Sequence, residues 1–367
     1  PGLVMNKIAP RFLTSTLNAF PSGLIVVSGT SGKSTTTKML VSILEAHGMR
    51  VFTNPSTANI SQGITSAILE QSDVRGRIDA DIAVVEMDEA FAALLSDRLE
   101  ARVVVLTNVM LDALERFHSA ERIAGMLKKI ATRATEALVL NRDDAALVNL
   151  APNVNRGVVS TNWYGVAGSV MREQRHGLGY AQTASERLES GRGTIVTEVE
   201  GRSATYDVHG ELAKVTLPAR GTHYAVDAAG ALEASRALLG HTFDLAHASK
   251  ILSSMRPVFG RGEIVTLRGE DIEFVLVQNS SSFQLNLDHL GGQPEQLFVA
   301  IGSEEADPSW LWKVDMASLS HVNIVSGIRA EEIALRLMYE GIQLGDVDRD
   351  LGAALDLRRL RLRAKPR

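Results

Sequence analysis

The 367-residue chain contains no cysteine, which removes disulfides, thiolate-held zinc, iron–sulfur clusters and any thiol nucleophile of its own from consideration. Long apolar runs are missing as well. Stretches such as Leu24–Val27 and Val103–Leu106 fall far short of the roughly 20 residues a helix needs to cross a bilayer, so no membrane span is expected. No charge of one sign dominates, with 38 Lys and Arg against 43 Asp and Glu for a net charge of −5. Aromatic residues make up only 5% and no basic face interleaved with them can be picked out, so nucleic-acid binding has no electrostatic footprint. After Pro1 there is no charged-then-apolar leader ending in small residues, and the cytoplasm is the expected compartment. What is present suits a soluble enzyme: 45% hydrophobic and 22% charged residues. A chain of this length exceeds what one core usually serves, so two or three domains are expected.

From Leu24 to about Leu150, short β-branched runs alternate with longer helical patterns. Strands are predicted at Leu24–Ser28, near Val51, and at Ile82–Val85, Val103–Leu106 and Ala137–Leu140, with a helix over Lys33–His47. This is the signature of a parallel α/β sheet. Between residues 158 and 217 the pattern turns to spaced strands, Gly193–Glu198, Ala204–Val208 and Ala213–Leu217, behind a polar excursion from 172 to 192. Two Ala/Leu-rich helices follow at Val226–Leu239 and Asp244–Ser254. A further α/β alternation begins near Arg256, with strands at Asp271–Val277, Gln296–Ile301 and Val322–Val325 and helices near Phe283–His289 and at Ala330–Tyr339. The expected division is 1–152, 153–255 and 256–367, and the Leu/Arg-rich tail from Asp348 reads as a solvated terminal helix.

Strand Leu24–Val27 runs into Ser28-Gly29-Thr30-Ser31-Gly32-Lys33-Ser34-Thr35 and then a helix. Backbone N–H groups, a helix N-terminus and one ammonium thus converge on a single point, which is an anion cradle. The general phosphate-loop pattern has a glycine where this chain has Val27, so the match is to a shorter variant, G-T-x-G-K-S-T. In that reading Gly29, Thr30, Ser31 and Gly32 approach phosphate oxygens, Lys33 neutralises their charge, and the Ser34 or Thr35 hydroxyl reaches Mg²⁺. A glycine-rich turn with an exposed lysine is the alternative.

Three further strand ends carry polar groups on the edge where open α/β sheets bind ligands. Glu86 ends the strand at Ile82–Val85 and is followed by Asp88 and Glu89; a magnesium carboxylate belongs there, an exposed acid cluster being the alternative. Thr107-Asn108 follows the next strand, with Asp112, Glu115, Arg116 and His118 beyond. Asn141-Arg142-Asp143-Asp144 closes another, where Asp143 or Asp144 could equally cap a helix.

With these motifs in this order the chain resembles the Mur ligase family, whose members activate a carboxylate as an acyl phosphate with ATP and capture it with an amine. The resemblance implies an α/β fold of three-domain Mur ligase architecture with a phosphate-loop, parallel-sheet ATPase domain. Gly221-Thr222-His223-Tyr224-Ala225-Val226-Asp227-Ala228-Ala229 stands where the family has a glycine, two asparagines and alanines, both asparagines being replaced here by Tyr224 and Asp227. Arg256-Pro257-Val258-Phe259-Gly260-Arg261 is similar to the linker into the last domain, where a basic residue, Arg261, is implied to bind phosphate. Within the family the likeness is to the MurT-type branch, carried by Glu86-Met87-Asp88-Glu89-Ala90, Asp307-Pro308-Ser309-Trp310-Leu311-Trp312 and Ser326-Gly327-Ile328-Arg329-Ala330-Glu331.

That branch implies amidation of the D-glutamate α-carboxylate of the lipid II stem peptide, or of a related muropeptide precursor, to D-isoglutamine. Ammonia would come from a GatD-type glutamine amidotransferase subunit, and membrane contact would be no more than peripheral, at the inner face through the lipid-linked substrate. The absence of cysteine fits, because a chain without thiols cannot run the partner's thiolate chemistry. The implied set is Lys33, Glu86 and Asp307 as catalytic residues, Ser34 and Glu86 for Mg²⁺, and Asn108, Asn141, Asp144 and Arg261 beside the loop for ATP. Asp307 is implied to complete the partner's Cys–His pair, an N-cap before Ser309 being the plainer reading; if the aspartate that Lys313 replaces serves the partner instead, Asp315 is the nearest substitute. The branch commonly carries a four-cysteine zinc ribbon, Lys-Asn-Pro-x-Gly-Phe where this chain has Gln278-Asn279-Ser280-Ser281-Ser282-Phe283, and an aspartate where Lys313 stands. The rival readings are an amino-acid-adding or folylpolyglutamate-type ligase, and a degenerate nucleotide-binding homologue that only docks a partner.

Overall fold

Strands whose side chains are apolar without alternation belong in a sheet covered on both faces. Leu24–Ser28 (β1) and Ile82–Glu86 (β3), either side of Val51–Thr53 (β2) in sequence, are buried at every residue. They are followed by Ala101–Leu106 (β4), Ala134–Asn141 (β5), Ser160–Val166 (β6), Thr194–Glu200 (β7), Ser203–Val208 (β8) and Glu211–Thr216 (β9). All lie in one nine-stranded sheet of order β2-β3-β1-β4-β5-β6-β7-β8-β9. It is parallel from β2 to β7 and antiparallel from β7 to β9. The computed structural model describes residues 1–55, 58–110, 119–151, 159–183, 193–257, 260–267, 269–277, 279–290, 293–302 and 308–354.

The chain forms two compact units, Pro1–Val258 and Phe259–Arg367. The boundary expected after residue 152 falls between β5 and β6, which pair in parallel within one sheet, Ala137 opposite Ser160 and Asn141 opposite Tyr164. The sequence reading does not mark β6, because its first residues, Ser160 to Asn162, are polar and partly exposed.

Helices Gly2–Ile8 (α1) and Phe12–Leu17 (α2) precede β1, and Lys33–Ala46 (α3), Ser61–Gln71 (α4), Glu89–Leu95 (α5), Ala120–Ala131 (α6), Ala145–Leu150 (α7) and Gly168–Arg172 (α8) connect the strands from β1 to β7. Thr222–Leu239 (α9) and Leu245–Ser254 (α10) complete the first unit. Leu17, Ile64, Ile68, Ile123, Leu127 and Ile130 belong to the core that joins α2, α4 and α6 to the sheet. Elsewhere α9 packs against α3, β5, β6 and β7, with 14 of its residues buried, as expected of a helix apolar on nearly every side. Its small residues permit the approach: a Cβ at Gly230 would stand 3.1 Å from the Tyr164 ring. The β8–β9 turn has positive φ at both His209 (52°) and Gly210 (96°), the pattern of a two-residue type I′ hairpin. His209 Nε2 lies 3.0 Å from both carboxylate oxygens of the buried Glu233, which also accepts from Thr194 Oγ1 at 2.6 Å, fastening the hairpin to α9.

In the second unit Arg261–Leu267 (β10) and Glu270–Val275 (β11) form an antiparallel hairpin. Phe298–Ala300 (β12), His321–Ser326 (β13) and Gln343–Asp348 (β14) form a parallel sheet in that order. Helices Ser280–Asp288 (α11), Ala330–Tyr339 (α12) and Leu351–Ala354 (α13) accompany it, around a core that includes Phe283, Trp310, Leu311, Val325 and Ile333. Among the described residues no helix is long and apolar enough to cross a membrane.

β1 lies between β3 and β4, so the chain leaves it toward β2 on one side and later crosses to β4 on the other. Such a reversal opens a crevice at the carboxyl ends of the strands. The glycine-rich loop leaves β1 at that crevice.

Candidate functional site

Ser28 ends β1 and its hydroxyl donates to Met87 O at 2.9 Å, tying the loop's first residue to the end of β3. Gly29 has φ 131° and Gly32 has φ 79°, values that side chains on L-residues rarely adopt. The two glycines are also hemmed in. A Cβ at Gly29 would lie 2.2 Å from Thr107 Oγ1, and one at Gly32 would lie 2.2 Å from Asp227 Oδ1. Gly32 is the N-cap of α3, so the free N–H groups of that helix's first turn open onto the loop. Fourteen residues long, α3 offers a full helix dipole to an anion at this point.

Lys33, the first residue of α3, folds back over the loop. Its ammonium donates to Gly29 O and to Thr30 O, the latter at 3.0 Å, and meets Glu89 Oε2 at 3.5 Å. Glu86 ends the neighbouring β3, opposite Val27 of β1, and is buried. Asn54 clamps its backbone, donating to Glu86 O at 3.1 Å and accepting from Glu86 N at 3.0 Å, while Asn59 donates to its carboxylate at 3.1 Å. Ser34 and Thr35 are buried in the first turn of α3. Among the described residues no three His, Asp or Glu side chains converge to hold a metal by themselves. A hydroxyl and one carboxylate fit Mg²⁺, which prefers oxygen ligands and usually keeps waters and substrate phosphates in the rest of its shell.

The ends of β4 and β5 brace the loop. Asn108 uses both ends of its amide on Ser31, accepting from Ser31 N at 3.0 Å and donating to Ser31 O at 3.2 Å, and its own carbonyl accepts from Thr30 N at 2.9 Å. Asn141 donates to Thr107 O at 3.2 Å and accepts from Asp143 N at 3.0 Å. Asp144 caps α7 through Ala146 N and Leu147 N and accepts from Val109 N at 2.6 Å. Burial nevertheless raises the Asp144 carboxyl above the ordinary aspartate range, those three N–H bonds opposing it. Tyr164, wholly buried in β6, donates to Leu106 O at 3.0 Å and Thr107 O at 3.2 Å. Burial, reinforced by Tyr180, Asp227, Asp144 and Asp143, pushes its phenol well above the ordinary range, so it stays a neutral donor.

Of the residues picked from sequence, Gly29 to Thr35, Glu86, Asn108, Asn141 and Asp144 all gather on this edge. Asn108, Asn141 and Asp144 come to it with their polar atoms engaged by backbone groups. Arg261 belongs to the second unit, where it opens β10. Asp307 lies outside the described residues, as do Asp112, Glu115, Arg116, His118 and Gln278. Asp315, the nearest substitute for the family aspartate that Lys313 replaces, accepts from Ala317 N at 2.9 Å. Asp227, noted only as a departure from a family pattern, places its carboxylate against Gly32. Asn54, Asn59 and Tyr164 stand in no motif of the sequence. The two asparagines carry no local signal because they are loop residues brought to Glu86 by tertiary folding.

The family model for the Mur ligase middle domain matches residues 27–234, and that for the MurT ligase C-terminal region matches residues 276–362. The chain is similar to the lipid II isoglutaminyl synthase (glutamine-hydrolyzing) subunit MurT of Streptococcus pneumoniae, 25% identical over 91% of this chain and 81% of that protein. Among solved structures it is similar to MurF from Acinetobacter baumannii, with a TM-score of 0.72, 18% identity, and coverage of 97% of this chain and 73% of that one. It is also similar to the Mycobacterium tuberculosis folylpolyglutamate synthase complexed with ADP and AMPPCP, with a TM-score of 0.67, 17% identity, and coverage of 97% and 88%. Likeness at those identities speaks to the fold: a Mur-type α/β architecture built on a large parallel sheet.

Proposed function

The chain belongs to the Mur ligase family, and on that premise we propose that it is the ATP-using ligase subunit of an enzyme that amidates a peptidoglycan precursor. The observation that carries the reading is the cradle at the end of β1, formed by Gly29, Gly32, Lys33 and the first turn of α3, with the clamped carboxylate of Glu86 at the end of the neighbouring β3. The similarity to MurT proteins, extending into the C-terminal region, selects amidation from the reactions of the family. The acceptor in this proposal is the α-carboxylate of D-glutamate in the lipid II stem peptide, and the product is D-isoglutamine.

In the first step a carboxylate oxygen attacks the γ-phosphorus of ATP and the bond to ADP breaks. In the second, ammonia attacks the acyl carbon, the carbon–oxygen bond to phosphate breaks, and the nitrogen loses a proton to water. The protein's burden is positioning and charge neutralisation. The loop N–H groups and Lys33 hold the phosphates, while Asn108 and Tyr164 keep the loop and the β4 turn in place. Ser34 and Glu86 would hold Mg²⁺, which supplies further charge neutralisation of the phosphates. Ammonia would come from a GatD-type glutamine amidotransferase partner, for which Asp307 is the proposed contribution to the Cys–His pair.

The test is mass spectrometry of lipid II incubated with the chain, Mg²⁺, ATP and ammonium. One carboxylate should become an amide with stoichiometric ADP, and Lys33→Ala should cut ATP turnover by about a thousandfold or more, the scale of removing a transition-state charge contact. Turnover retained by Lys33→Ala would defeat the phosphate-loop assignment. Amino acids accepted in place of ammonium would point instead to an amino-acid-adding ligase.

A further inference from the structure

The Lys33 ammonium is fully engaged. It has three N–H donors and faces three acceptors, Gly29 O, Thr30 O and Glu89 Oε2. Two belong to the loop itself. The third is a carboxylate on a different helix, with only 4% of its side chain exposed against 13% for Lys33. Asp88 caps that helix, accepting from Ala90 N and Phe91 N at 3.1 and 3.3 Å, so Glu89 is held at the crevice from its own side. A phosphate that reaches Lys33 must displace one acceptor. The contact to Glu89, at 3.5 Å, is longer than the 3.0 Å bond to Thr30 O and is not part of the loop.

We propose that Glu89 is a positioning residue: the counterion that Lys33 exchanges for a nucleotide phosphate, and the reason the loop admits phosphate only as a metal complex. This rests on the nucleotide-binding reading above. Once Lys33 turns to phosphate, Glu89 is left buried without its cation, three residues from the equally buried Glu86. A buried carboxylate deprived of its partner is strongly unfavourable, and a phosphate chain arriving beside two such groups adds like charge. A divalent cation entering with the phosphates offsets both. A metal-free nucleotide brings no such compensation and meets the full repulsion. Glu89 thereby couples metal to nucleotide without needing to be a metal ligand.

The experiment is calorimetric titration of the full chain with ADP, in excess Mg²⁺ and separately in EDTA. The wild type should bind ADP at least about tenfold more weakly in EDTA, and Glu89→Gln should recover about tenfold of metal-free affinity while changing Mg²⁺ADP affinity by less than about threefold. Glu89→Asp keeps the charge but draws it back by one methylene; it should recover a smaller part of the metal-free affinity, and it carries the test if the glutamine variant does not fold. The proposal is overturned if both variants leave metal-free affinity within about twofold of wild type, or weaken ADP equally in both conditions. Wild-type protein that binds ADP in neither condition would overturn the nucleotide reading along with it, whereas binding with an unaltered Mg²⁺-to-EDTA ratio in the variants would remove only the role of Glu89.

Discussion

Gly32 shows how one atom decides whether the loop can exist. At φ 79°, with Asp227 Oδ1 only 2.2 Å from where a Cβ would stand, alanine meets both backbone strain and a collision with a buried carboxylate. Gly48 separates the two effects, since it has φ 86° and nothing within 4 Å of its Cβ position. Gly32→Ala should therefore lower unfolding free energy by about 2–3 kcal/mol, and Gly48→Ala by about 1 kcal/mol. Urea unfolding of the two variants measures the difference, and equal losses would mean that Asp227 moves aside without cost. Gly32 was legible in the sequence because it stands in a glycine-rich stretch between a strand and a helix. Its neighbour Asp227 was not, being 195 positions away and joined to it only by the packing of α9 on α3.

At the level of elements, the loop is stiff because neighbouring strand ends hold it. Tyr164 of β6 reaches past β5 to Leu106 O and Thr107 O at the end of β4, and the turn it supports carries Asn108, whose amide clamps Ser31. Tyr164→Phe should cost about 1–2 kcal/mol through the loss of a buried hydrogen bond. It should also speed amide hydrogen exchange at Ser31 and Val109, and unchanged exchange at both would show that the brace is dispensable. Fully buried strands such as β1 and β3 announced themselves as apolar runs. β6 and β14 did not: the former begins on polar, half-exposed residues, and the latter presents most of its side chains to solvent, so neither shows a run or a clean alternation. Nothing local marks Tyr164 either, because its hydroxyl bonds the end of β4, two strands away in the sheet.

At the scale of the molecule, each unit has its own core and its own response to conditions. In the second unit burial lowers the pKa of His289 from its usual 6.5, with Asp288 opposing. The folded chain keeps this imidazole neutral while the unfolded chain begins to protonate it as pH falls through 6.5. Its contribution to stability is therefore complete above that pH and is lost as pH drops toward the folded value. Melting temperature should decline between pH 7.5 and 5.5, and His289→Gln should flatten part of that slope; an identical slope in the variant would rule His289 out as its source. By itself the sequence determined the parallel α/β class, the glycine-rich loop between strand and helix, the strand-end carboxylate and the family likeness, because these depend on residue type at short spacing. Only tertiary structure decided that residues 160–216 extend the first sheet, that Asn54 and Asn59 fix Glu86, that Asn108 and Asn141 serve as braces, and that Lys33 is paired with Glu89. Those facts depend on which strands pair and which helix packs where, and chain neighbours carry no record of either.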